Sequence, residues 1–276
     1  MIIDAHHHFW QLSRGDYPWP NDSVAPIFRD FGPDDLTPLL HEAGVTKTVL
    51  VQATDTVAET EFLLTLASHH SMIAGVVGWV DFSAPDACDV IDRLRGNPLL
   101  KGLRPMLQNI DDTDWILRAE VQPALRHMAA LDLTFDALIQ PRHLPVIAAL
   151  ADRHPNLRIV IDHLAKPQMG QGRLPDPDWH QGMADLAARP NVWCKLSGMV
   201  TEAGPDWQPA DLQPFAKLVL GTFGPGRIMF GSDWPVVNLV SDYASWIQFV
   251  RSAIAAFSDQ EQAQIMCGTA AAFYRL

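Results

Sequence analysis

Cysteine is scarce in this chain: Cys88, Cys194 and Cys267 lie far apart, and none belongs to a C-x-x-C pair. That excludes a disulfide framework and a zinc finger and suits a reducing compartment. Basic residues are outnumbered, 20 Lys and Arg against 32 Asp and Glu, and nowhere gather into a run. A formal net charge of -12 repels phosphate backbones and anionic lipid surfaces, so neither nucleic acid nor a membrane is an expected partner. No apolar stretch reaches the length of a membrane span, and no basic segment leads into the opening Ile2-Ile3-Asp4, so the expected location is the cytoplasm. Also missing are an internal repeat and a Gly-, Ser- or Pro-rich linker that could divide 276 residues. With 48% hydrophobic and 19% charged residues, the chain has the composition of a globular enzyme that is compact throughout.

What is present is an alternation of short aliphatic runs with longer segments of helical periodicity. The runs are Met1–His8, Thr46–Thr54, Ile73–Asp81, Leu99–Leu107, Thr134–Gln140, Arg158–Leu164, Asn191–Gly198 and Arg227–Pro235. Several, such as Thr48-Val49-Leu50-Val51 and Arg158-Ile159-Val160-Ile161, are apolar on successive residues, as strands covered on both faces must be. Helices between them have readable ends: Asp34-Asp35 opens an apolar-periodic stretch that closes at Gly44, and His143–Arg153 stops before His154-Pro155. Eight βα units predict a single-domain (β/α)8 TIM barrel spanning residues 1–276. A doubly wound open sheet is the alternative, but its first turn would carry glycines for a ligand phosphate, and here the first turn carries histidines. The main irregular insertion, about residues 12–38, contains Tyr17, Trp19 and Phe28 and is placed over the barrel mouth, either as a lid or as packed surface.

In such a barrel the chemistry sits at the C-terminal ends of the strands. Strand 1 ends Asp4-Ala5-His6-His7-His8; because strand side chains alternate, His6 and His8 share one face and His7 takes the other. Strand 6 ends Ile161-Asp162-His163, and strand 8 runs into Gly231-Ser232-Asp233-Trp234-Pro235. Any one of these, alone, reads as a cap or a satisfied polar group. Together, three imidazoles and a carboxylate suit either a divalent ion with an open position or a water held beside a general base. Cys194 has no base beside it, which argues against a thiol nucleophile. The other histidines, His69, His70, His127, His143, His154 and His180, fall on helices or loops and are expected at the surface.

The segments Ile3-Asp4-Ala5-His6-His7-His8-Phe9-Trp10, Arg14-Gly15-Asp16-Tyr17-Pro18-Trp19, Gly102-Leu103-Arg104, Asp162-His163-Leu164-Ala165-Lys166-Pro167, Gly231-Ser232-Asp233-Trp234-Pro235 and the closing Gly268–Leu276 together resemble the amidohydrolase superfamily, and within it the sugar-lactonase branch. The resemblance spans nearly the whole chain. It implies hydrolysis of a sugar (aldono-) lactone, such as L-fuconolactone or L-rhamnonolactone, by attack of water on the ester carbonyl. Asp233 would be the general base, with His6, His8 and His163 orienting the water and polarising the carbonyl. Arg104, Lys195, Trp234 and Gln140 would contact substrate; for Lys195 an ion pair with a nearby carboxylate is an equal reading, and for Trp234 a place in the core. Two-metal members of the superfamily bridge their ions with a modified lysine on strand 4 or 5; here Lys101 lies at the wrong end of strand 4 and strand 5 ends in Gln140, which excludes a two-metal centre. The implied cofactor requirement is none obligatory, with one zinc or manganese ion on His6, His8, His163 and Asp233 as the alternative. A metal-dependent decarboxylase of the same superfamily and a non-catalytic ligand-binding barrel are the competing functions.

Overall fold

A computed structural model describes all residues, 1–276. Eight strands lie parallel in the order β1 (Ile2–His7), β2 (Val45–Val51), β3 (Ile73–Gly78), β4 (Leu100–Leu103), β5 (Thr134–Ala137), β6 (Ile159–Ile161), β7 (Val192–Leu196) and β8 (Ile228–Phe230). The ring closes just beyond β8, where His6 O accepts from Asp233 N at 2.8 Å and Trp234 O accepts from His8 N at 2.7 Å. The helices that cross over between strands are α1 (Pro33–Ala43), α2 (Val57–His69), α3 (Ala87–Arg95), α4 (Gln122–Ala130), α5 (Leu144–Arg153), α6 (Pro177–Ala187), α7 (Met199–Ala203) and α8 (Pro209–Phe223), and α9 (Tyr243–Ala253) follows β8. Two more, α10 (Asp259–Ala263) and α11 (Thr269–Tyr274), complete the chain. This is the expected (β/α)8 barrel. No helix is long and apolar enough to cross a membrane.

The strands are shorter than the aliphatic runs that announced them. Apolar sequence continues past the last ladder hydrogen bond because the loops at the strand ends are themselves buried, as at Leu164, Ala165 and Trp234. The main core of 71 buried residues fills the layer between strands and helices. A second cluster of 10, including Ile3, Ala5, Val49, Val51, Val77, Val160 and Met229, is capped by Phe273 and Tyr274 of α11.

One irregularity on β1 matters for the site. Asp4 pairs with Thr48 but His7 pairs with Leu50, so β1 carries one extra residue over that interval. A bulge of this kind lets two successive side chains face the same way. Ala5 therefore joins the inner apolar cluster while His6 still turns toward the barrel axis, and Asp4 turns out to accept from Tyr243 Oη of α9 at 3.1 Å. Asp4 also accepts from the backbone amides of His6 (3.1 Å) and Ser232 (2.8 Å), which ties the β1 bulge to the loop after β8.

The insertion after β1 packs onto the end of β2. Trp19 Nε1 donates to Ala53 O at 2.7 Å, and Thr54 Oγ1 donates to Asp16 O at 2.8 Å. Glu59, at the start of α2, accepts from the amides of Ala53 and Thr54 and is fully buried. Two histidines expected at the surface are not there: His143 is 1% exposed and His154 7% exposed. Both sit at helix ends that dock inward, where His154 Nε2 meets Gln122 Oε1 at 2.8 Å and His143 Nδ1 meets Gln140 N at 3.1 Å.

Candidate active site

His6, His8, His163 and Asp233 come together at the C-terminal end of the barrel. His6 Nε2 and His8 Nε2 are 3.2 Å apart. Asp233 Oδ1 lies 3.3 Å from His8 Nε2, 3.6 Å from His6 Nε2 and 3.8 Å from His163 Nε2. The imidazoles of His6 and His163 meet edge to face, with centroids 4.5 Å apart. Neither His163 nor Asp233 is on a strand. Each follows one in a left-handed conformation, with φ of 52° and 57°, which swings the side chain over the mouth. Glycines make the room: a Cβ on Gly198 would lie 2.4 Å from His163 Nδ1, and one on Gly231 would lie 2.7 Å from His6 Cβ.

The hydrogen-bond network assigns the protons. His8 Nδ1 is 2.8 Å from Val51 O, which can only accept, so His8 is protonated on Nδ1 and turns the Nε2 lone pair into the site. The 3.2 Å contact between the two Nε2 atoms then requires the proton on His6 Nε2. His6 Nδ1 is left to accept from Lys195 Nζ, 3.1 Å away. The site thus presents an N–H from His6 beside a lone pair from His8. Burial, reinforced by the charge of Lys195, drives His6 far below the ordinary histidine range, and burial holds His163 at about 4. Burial alone would raise Asp233, but the imidazoles of His163, His8 and His6 outweigh it and keep the carboxyl below the usual carboxylate range. At neutral pH the centre is therefore an ionised carboxylate facing neutral His6 and His163.

Beneath His6 lies a buried group of opposite charges. Lys195 Nζ is 2.5 Å from Asp136 Oδ2 and 3.0 Å from Asp162 Oδ1, and Tyr274 Oη donates to Asp136 Oδ2 at 2.6 Å. Arg104 Nη1 is 3.2 Å from Asp162 Oδ2 and 3.5 Å from His6 Nε2, while its Nη2 donates to Gln52 O and to Gln52 Oε1 at 3.1 Å. Gln52 Nε2 answers by donating to Arg104 O at 2.8 Å. Lys195, His6 and Arg104 together pull the Asp162 carboxyl well below the usual carboxylate range against its burial.

A cavity of about 250 Å³ opens above this floor, lined among others by His8, Trp19, Arg104, His163, Lys166 and Asp233. The residues expected to touch substrate fall in different places. Arg104 reaches the cavity wall. Lys195 does not: it is wholly buried under His6, held by two carboxylates, as the ion-pair reading had it. Trp234 is 2% exposed and packs edge-on against Phe9 and Phe31, so it belongs to the core. Gln140 is exposed on an outer groove, beside Arg142 and Gln168, rather than on the inner wall. Sequence reasoning missed Gln52, Asp136 and the reach of Lys166; a lone carboxylate inside the apolar Thr134-Phe135-Asp136-Ala137 was the available signal for Asp136.

A family model described as amidohydrolase matches residues 3–276. The chain belongs to the amidohydrolase family. This amidohydrolase is 46% identical, over 99% of its own length and 95% of the relative's, to an L-fucono-1,5-lactonase of Burkholderia ambifaria. It is 37% identical, over its whole length and 96% of the relative's, to an L-fucono-1,5-lactonase of Burkholderia multivorans. Among solved structures, an amidohydrolase from Burkholderia multivorans with bound zinc superposes with a TM-score of 0.94 at 36% identity, covering 100% of this chain and 99% of that one.

The donor set of the present chain fits one such ion. Ligands at 2.0–2.1 Å around a tetrahedral zinc stand ~3.3 Å apart, and the donor atoms of His6, His8 and Asp233 are separated by 3.2 to 3.6 Å. Binding through His6 Nε2 would move the His6 proton to Nδ1. Asp162 Oδ1, which also meets Lys195 Nζ at 3.0 Å, lies 3.4 Å from His6 Nδ1 to receive it.

Proposed function

We propose that this amidohydrolase opens a sugar (aldono-) lactone to the sugar acid, with L-fucono-1,5-lactone as the first substrate to try. The observation that carries the reading is the sorting of donors and acceptors around Asp233: a carboxylate and the His8 lone pair on one side, the His6 N–H and the Arg104 guanidinium on the other. Two full-length relatives named for this reaction support it.

When the lactone carbonyl takes over the His6 N–H, the His8 Nε2 lone pair is released, and a water held against Asp233 and His8 Nε2 directs its O–H groups to them and keeps a lone pair for the ester carbonyl. Asp233 takes one proton as the C–O bond forms. The carbonyl oxygen gains charge and is met by the His6 N–H and by Arg104, donors already fixed in place by Lys195, Asp162 and Gln52. The tetrahedral intermediate collapses with loss of the ring oxygen, which takes its proton back from Asp233. One water is consumed and one hydroxy acid results. His163 closes the far side, its Nδ1 2.9 Å from Ser197 Oγ. Where a divalent ion is held by His6, His8 and Asp233, it supplies Lewis acidity and a more acidic water.

The metal-fitting donor set also favours, as a second reading, a metal-dependent decarboxylase. A pH-indicator screen of aldonolactones, run with and without exhaustive chelation, separates the two. Acid release that survives chelation supports the lactonase and counts against the decarboxylase; no acid release from any lactone under either condition refutes the lactonase.

A further inference from the structure

His163, Leu164, Ala165 and Lys166 form an uninterrupted left-handed stretch, with φ of 52°, 55°, 60° and 51° and no glycine among them. Each such residue costs roughly 1 kcal/mol or more relative to ordinary backbone. The turn is held by the burial of Leu164 and Ala165, by Trp179 Nε1 donating to Leu164 O at 2.9 Å, and by Lys166 N donating to His163 O at 2.8 Å. Its effect is to bring both His163 and Lys166 to the wall of the same cavity, facing Asp233.

The two cations on that wall are not equivalent. Arg104 is nearly fully buried, is fixed by Asp162 and Gln52, and faces the carbonyl position beside His6. The Lys166 ammonium has one carboxylate neighbour, Glu202 Oε1, at 3.6 Å, which is too long for a good hydrogen bond. The two side chains are about a quarter exposed, at 23% and 26%. Glu202 lines the outer groove with Gln108, Asn109 and Gln168, whereas Lys166 lines both that groove and the inner cavity. A charged donor and a charged acceptor thus stand side by side where the cavity widens, each with hydrogen-bonding capacity left over. A hydroxyl group suits such a pair, since it can accept from one and donate to the other.

We propose that Lys166 and Glu202 are specificity-determining residues that bind a hydroxyl of the substrate remote from its carbonyl, the ammonium donating to the hydroxyl oxygen and the hydroxyl donating to the carboxylate. The pair selects polyhydroxylated lactones over plain aliphatic ones of the same ring size. This rests on the lactonase reading. The test compares kcat/KM on L-fucono-1,5-lactone with kcat/KM on δ-valerolactone, which has the same ring and no hydroxyl, for wild type, Lys166→Met, Lys166→Arg and Glu202→Gln. Loss of a charged hydrogen bond is worth about tenfold or more, so Lys166→Met and Glu202→Gln lower the ratio of the two by about that factor, and Lys166→Arg restores part of it. A merely structural role lowers both substrates together and leaves the ratio where it was, which overturns the proposal. Because methionine has the same left-handed cost as lysine, a folded variant is expected, and an unchanged thermal transition verifies it. Wild-type protein that hydrolyses neither lactone refutes the lactonase reading and this inference with it; wild type that prefers the sugar lactone, with variants that keep the preference, refutes this inference alone.

Discussion

Asp233→Asn tests the centre with the smallest change of shape. Asp233 sits at φ 57°, a region that asparagine enters readily and alanine does not, so the amide keeps the backbone that places it. The main-chain bonds from Asp233 N to His6 O (2.8 Å) and from Val237 N to Asp233 O (3.0 Å) do not involve the altered group. What changes is the chemistry. The proton acceptor is lost, which costs roughly 10²- to 10⁴-fold in such reactions. In addition, an amide N–H turned toward His8 Nε2, 3.3 Å from the present carboxylate oxygen, would satisfy the lone pair that orients the water. The upper half of that range therefore applies, a fall in kcat of ~10³- to 10⁴-fold, or about 4 to 5.5 kcal/mol of barrier. The assay is acid release from the best aldonolactone, with circular dichroism melting as the control. A variant that melts like wild type and retains kcat within tenfold of it shows that another group accepts the proton, and the mechanism fails at its first step.

Equilibrium dialysis against zinc is expected to show one ion per chain for the wild type, with affinity at least tenfold lower in His8→Asn; unchanged zinc affinity in that variant would place any ion elsewhere. A second expectation concerns pH and Glu59, whose burial raises its carboxyl to about 7 against an unfolded value near 4.5. A raised acid binds more protons folded than unfolded across that window, so its contribution to stability is present below about 4.5 and is lost as pH rises through 7, by roughly 3 kcal/mol at most. Glu59→Gln keeps an acceptor for the Ala53 and Thr54 amides without the titration, so its stability relative to wild type should improve between pH 5 and pH 8 in urea melts; a constant difference across that range would show that Glu59 titrates normally.

The barrel was legible because its signal is repeated eight times along the chain and each repeat carries the same demand, a strand buried on both faces followed by a crossover helix. Strand ends were not legible to the residue. Leu164, Ala165 and Trp234 are as apolar as strand residues, but the ladder stops before them, and nothing in composition distinguishes a buried loop from the strand it follows. The same limit hid the left-handed turns at His163 and Asp233, since neither is glycine and neither has a neighbour that demands positive φ. His143 and His154 went to the surface in the sequence reading because a histidine at a helix end is usually solvated; which end docks inward depends on helix packing, not on local sequence.

The four central residues were legible for a reason the remaining contacts lack. His6 and His8 reveal a shared face through their spacing alone, and His163 and Asp233 announce themselves as polar groups where apolar runs end. Lys195 gave the same sort of announcement, yet it ends up under the site, because two carboxylates from other strands capture it: Asp136 on β5 and Asp162 at the end of β6. Pairing of that kind is set by which strands are neighbours and by register, with β5 beside β6 and β6 beside β7, and becomes visible only once the sheet exists. It nonetheless bears on the chemistry. By donating to His6 Nδ1, Lys195 holds the imidazole in the tautomer that carries its proton on Nε2, so a residue with no path to the cavity fixes the polarity of the centre above it.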